Sequence, residues 1–200
     1  MELSRRDLQV SRRAALTGAF GVLAEGKGLS APAAAHVSIE YRGGFVYWPF
    51  GQARAAVGAG GVHPNKKEGD RATPAGTFSL PFGMYRPDRI DLPNTYLPMT
   101  PLREAHAWVD DPDDPKYNQL VELPYPLHTE KLWRTDKIYD LLVVVGYNMN
   151  PTQPGAGSAI FLHIARPDFS PTDGCVAVSQ SVLLELINVL GTDSTLTIRE

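Results

Sequence analysis

Ile160-Phe161-Leu162-His163-Ile164-Ala165-Arg166 reads as an apolar strand with one imidazole in it. Thr172-Asp173-Gly174-Cys175-Val176-Ala177 follows across a loop that contains Pro167 and Pro171. A run as apolar as Ser158 to Ala165 belongs to a strand covered on both faces. The Gly-Cys pair then stands a few residues before a helix. Val182, Leu183, Leu186, Ile187 and Leu190 recur at helical spacing over 180–190, with Ser179 as N-cap and Gly191 as the C′ residue.

The flanking sequence supplies the other strands. Ile138 to Val145 is a second near-continuous apolar run, and Ser194 to Ile198 alternates as a final strand. Upstream, His36 to Tyr41 alternates, Gly43-Gly44 turns the chain, and Phe45 to Trp48 returns it. Ala55 to Ala59 and Thr77 to Leu80 are read as further strands. His63 to Thr73 is polar and charged, an exposed loop. Residues 81–135 are dense in Pro, Asp, Tyr and Trp without a clear period, and are read as elaborated loops with short strands forming one wall of a cleft. The expected fold is mainly β: two mixed sheets, or one sheet folded on itself, with the 180–190 helix alongside.

The chain has 200 residues, 43% of them hydrophobic, and a net charge of −3. That is one domain with a real core. No basic stripe points to nucleic acid. A single cysteine excludes an intramolecular disulfide and a cysteine-rich metal site. His63, His106 and His128 lack ligand spacing, so neither metal nor cofactor is expected. Residues 1–35 have the order of an export signal. Ser11-Arg12-Arg13-Ala14-Ala15-Leu16 has a twin-arginine look, Ala14 to Ala24 is a mild apolar stretch too short to span a bilayer, and Ala31-Pro32-Ala33-Ala34-Ala35 offers small residues for cleavage. The mature domain is then 36–200, in the periplasm.

The chemistry is carried by Cys175 and His163. A cysteine attacks as its thiolate and needs a nearby base or positive charge. A strand end holds the imidazole rigidly, and one loop folds the cysteine back to it. Gly174 permits a sharp turn that frees the surrounding amides for a developing oxyanion. Alone, a cysteine between Gly and Val reads as packed, and a histidine in an apolar strand as a core residue. Together they favour catalysis.

His163 and Thr172-Asp173-Gly174-Cys175-Val176-Ala177 resemble the signature of the YkuD-type L,D-transpeptidases: a His, a spacer, then Ser-His-Gly-Cys-(Ile/Val)-Arg. Lys67-Glu68-Gly69-Asp70-Arg71-Ala72-Thr73-Pro74-Ala75-Gly76-Thr77-Phe78 resembles the family's Gly-x-x-x-Thr-Pro-x-Gly-x-Phe segment. The resemblance covers roughly 36–198. Thr172-Asp173 and Ala177 depart from the signature, as in a divergent proteobacterial branch with Gly-Cys-Val-Ala and long Trp/Tyr/Asp-rich insertions.

The resemblance implies a peptidoglycan stem peptide as substrate, Cys175 as nucleophile and His163 as base, oriented by a backbone carbonyl around Ile164. It also implies an oxyanion hole from amides of Gly174, Cys175 and Asp173, in the motif begun by Thr172. Asp173 is read equally as a binder of a substrate amine or a turn residue. Arg166 is a candidate for a substrate carboxylate in place of the family Arg. Trp108, Tyr117, Glu130, Trp133, Arg134 and Tyr139 are candidate pocket residues for a zwitterionic ligand. Some members of the branch form cross-links between L-Ala at position 1 and diaminopimelate at position 3. Two alternatives stand beside the transpeptidase: an L,D-carboxypeptidase or other hydrolase on the same scaffold, and a non-catalytic wall-binding module.

Overall fold

The computed structural model describes residues 36–200; the export signal read over 1–35 lies outside them. The elements in order are β1 (Ser38–Arg42), β2 (Phe45–Trp48), β3 (Gly51–Ala56), β4 (Val62–His63), β5 (Thr73–Pro74), β6 (Gly76–Ser79), β7 (Gly83–Tyr85), β8 (Met99–Pro101), β9 (His106–Val109), β10 (Leu120–Glu122), β11 (Thr129–Lys131), β12 (Leu141–Val144), β13 (Phe161–Ile164), β14 (Val176–Val178), α1 (Gln180–Val189) and β15 (Thr195–Ile198).

One mixed sheet runs β6-β15-β1-β2-β3-β14-β13-β12-β7-β8. β3 joins its halves: Gly51 to Arg54 pair with β2, while Ala55 and Ala56 pair with β14. The halves share a core in which Ile39, Val46 and Leu196 meet Leu141, Val143, Leu162 and Val176. Leu183, Leu186 and Ile187 of α1 cover it. The protein is mainly β, with mixed sheets and a helix alongside, as the sequence pattern predicts.

Alternation along the central strands creates a second core. On β12, Leu141 and Val143 enter the first core, while Leu142 and Val144 enter the second. On β13, Leu162 and Ile164 face the first core and Phe161 the second. This double burial is why both segments read as unbroken apolar runs. The second core is roofed from the 81–135 region, where β10-β9-β11 form a small antiparallel sheet. Trp108 of β9 meets Phe161 edge to face at 5.2 Å. Burying each of these rings contributes about 2–3 kcal/mol.

Three expectations need correction, and one strand went unread. β3 spans 51–56, not 55–59, because the N–H of Gly58 turns to Thr73 Oγ1 (2.8 Å) and that of Ala59 to Thr172 O (2.9 Å). The 63–73 stretch is not wholly exposed: Lys66, Ala72 and Thr73 are buried. α1 ends at Leu190 in extended conformation, and Gly191 donates its N–H to Ser194 Oγ at 3.0 Å, so no left-handed C′ glycine is used. Between Cys175 and α1 lies β14, a strand not read from the sequence. The N-cap is as expected, Ser179 accepting from the Val182 N–H. Among the described residues, no helix is long and apolar enough to cross a membrane.

Candidate active site

β13 and β14 are parallel neighbours, with Leu162 opposite Val176 and His163 opposite Ala177. Cys175 directly precedes β14, so the same register sets it beside Phe161. The Phe161 N–H donates to Cys175 Sγ at 3.3 Å. Successive strand residues alternate faces, so Cys175 and His163 fall on the same one. Both line a single cavity of about 220 Å³.

Burial governs both groups. Cys175 is 7% exposed and His163 4%. Burial pushes the thiol up to about 12, against the Phe161 N–H, while the Glu130 charge adds to the rise. The thiol donates its proton to Ala159 O at 3.3 Å. Burial likewise lowers His163 to about 4, with the Ile164 carbonyl opposing. That carbonyl lies 2.9 Å from Nδ1, which assigns the ring proton there and leaves the Nε2 lone pair free. The Tyr139 ring stands edge-on to the imidazole, centroids 5.3 Å apart. Burial thus disfavours charge on both groups, the thiolate and the imidazolium alike.

The turn before Cys175 needs its glycine. Gly174 has φ +135°, and a Cβ there would stand 2.9 Å from Ala72 O. Thr172 closes the turn: its hydroxyl donates to Cys175 O (2.7 Å) and accepts from the Gly174 N–H (3.2 Å). The Gly174 amide is thus occupied. The N–H groups of Asp173 and Cys175 have no protein acceptor among the described residues and are the ones free for an oxyanion. Asp173 lines the cavity and pairs with Arg71 Nε at 2.7 Å, both side chains largely exposed.

Glu130, Tyr139 and Arg166 line the cavity, as does Arg134. Arg134 is gripped by Asp136 through two bonds of 2.8 Å. Glu130 is raised by burial, with the Tyr139 hydroxyl and Arg134 offsetting part of the rise. Trp108, Tyr117 and Trp133 stand elsewhere. Trp108 is in the second core, its indole N–H on Asn118 Oδ1 at 2.9 Å. The Tyr117 hydroxyl donates to Glu68 and accepts from the Gly157 N–H at 3.0 Å, behind the wall. Trp133 lies under the Arg86 guanidinium, 3.5 Å from its centroid. Sequence reading missed Glu68, Asp110 and Ser158 as cavity residues. Glu68 sat within the quoted 67–78 segment, but nothing in its neighbours marked it out.

Fold and site together define a β domain built around a thiol and an imidazole that share one face of adjacent strands and one cavity. The chain belongs to the YkuD family: the model of the L,D-transpeptidase catalytic domain matches residues 34–198. Its function is thus of the peptidoglycan L,D-transpeptidase type. Comparison with curated proteins gives no match.

Proposed function

We propose that this protein is an exported peptidoglycan L,D-transpeptidase whose nucleophile is Cys175 and whose general base is His163. The observation that carries the reading is their shared face on β13 and β14, above one cavity, with Nε2 of His163 unencumbered.

Sγ attacks the carbonyl after an L-centre of the donor stem, and its proton passes to His163 Nε2. The resulting oxyanion is met by the free Asp173 and Cys175 amides. As the intermediate collapses, the carbon–nitrogen bond breaks and the departing amine takes the proton from His163, leaving a thioester on Cys175. The amine of a second stem then attacks this thioester. His163 takes the amine's proton and returns it to sulfur as the cross-link forms. Because burial disfavours charge on both groups, transfer of the proton together with the attack avoids a separately charged pair.

The cavity walls mix Glu68, Asp110, Glu130 and Asp173 with Arg134 and Arg166. Such a lining suits a ligand bearing both an ammonium and a carboxylate. Ala177, opposite His163 and 1% exposed, leaves no cation at the position of the family Arg. Arg134 and Arg166 supply positive charge in its stead. This altered wall is in keeping with a donor bond after L-Ala and a cross-link to diaminopimelate at position 3.

The test is a digest of purified peptidoglycan incubated with wild type and with Cys175→Ala, read by mass spectrometry. New cross-linked dimers are expected from wild type and should fall roughly a thousandfold or more in the variant. Fragmentation names the donor bond. Shortened monomers without dimers would make the protein a hydrolase. Identical products from both proteins would refute catalysis by Cys175 and leave a wall-binding module.

A further inference from the structure

Lys66 is buried behind the turn that carries Cys175, its side chain 3% exposed. A Cβ on Gly174 would stand 3.4 Å from Nζ, and one on Gly157 would stand 2.7 Å from Cε. The side chain thus threads between two positions that lack a Cβ. Asp70 meets the ammonium at 2.8 Å, and Lys67 O accepts from it at 3.3 Å. Its third N–H has no acceptor among the described residues. Asp70 is itself fixed by the backbone N–H groups of Lys67 (2.6 Å) and Ala72 (2.8 Å).

A buried ion pair is a poor way to gain stability, since apolar residues of like volume often serve as well or better. The charge therefore needs another account. Asp173 and Glu130, both at the cavity, disfavour an anionic sulfur, whereas Lys66 favours one. We propose that Lys66 is a positioning residue of the thiol site: its ammonium, held by Asp70 against the back of the Gly174-Cys175 turn, stabilises the sulfur as it becomes anionic and the oxyanion that forms next. The inference rests on Cys175 being the nucleophile.

Cys175 is the sole thiol of the chain, so total alkylation reports on it alone. The full chain, Lys66→Met and Asp70→Asn are to be labelled with the neutral reagent iodoacetamide at about pH 8.5, and labelling followed by intact mass. Lys66→Met should slow labelling roughly tenfold, because the thiolate loses its cation. Asp70→Asn should speed it by a similar factor, because the ammonium then acts uncompensated. A merely structural pair, broken from either side, would move both rates the same way, and that result or unchanged rates would overturn the proposal. Should Lys66→Met not fold, Lys66→Gln takes its place. If Cys175→Ala still forms cross-links, the catalytic reading fails on its own, and the order of labelling rates still decides whether Lys66 charges the sulfur.

Discussion

At His163 two influences oppose each other. Burial disfavours the imidazolium, the Ile164 carbonyl favours it, and burial prevails. The consequence for stability has a definite sign. Between about 6.5 and about 4 the unfolded chain takes up a proton here and the native chain does not, so stability falls as the pH drops through that window. The loss from this one group is about 3 kcal/mol. Urea denaturation at both ends of the window should show wild type losing about that much more than His163→Gln. Equal losses would mean that the native imidazole is not held neutral. His163 and Cys175 were legible in the sequence because a histidine in an apolar strand and a Gly-Cys pair close by are unusual together. Lys66 was not, since it sits in a polar run and the glycines its buried side chain passes, Gly157 and Gly174, are distant in sequence.

The elements around the site are held in place by backbone crossings as much as by side chains. Gly58 bridges to Thr172, and its N–H also reaches Thr73 Oγ1, so one residue ties the Arg71–Thr73 segment to the cysteine turn. A Cβ on Gly58 would stand 2.1 Å from Arg71 O, a clash with backbone that cannot rotate away. Gly58→Ala should therefore cost about 2–3 kcal/mol and depress cross-linking together with it. A melting temperature equal to wild type would show that the crossing gives way freely. β12 and β13 were readable because each lies inside a longer, near-continuous apolar run, and β1 and β15 because they alternate. β14 and the strands of the small sheet were not, because their segments carry neither a long apolar run nor a clear alternation. The end of α1 was misread because Gly191 looks like a C′ residue, whereas Ser194 takes its N–H and the chain leaves the helix extended.

Across the whole molecule, burial is uneven. β12, β13 and β14 are buried at every position, while β10 and β11 keep intermediate and exposed residues. Hydrogen exchange should follow this gradient, with amides of β12 and β13 exchanging only on global unfolding and those of β10 and β11 well before it. Uniform protection across both groups would contradict it. The fold class was visible in advance because it follows from covered strands and one amphipathic helix. The roofing of the second core was not, because it depends on which irregular segment lies over which strand. That division carries a further consequence. The proposed reacting pair is carried by His163 on β13 and Cys175 directly before β14, whereas Asp110, Glu130, Arg134 and Tyr139 come from the stretch between β8 and β12. On the proposed function, copying errors that lengthen, shorten or replace that stretch would change which wall fragment is admitted and leave His163 and Cys175 in place. For such a protein, new tastes are reached by insertion and deletion, without rebuilding the place where the reaction occurs.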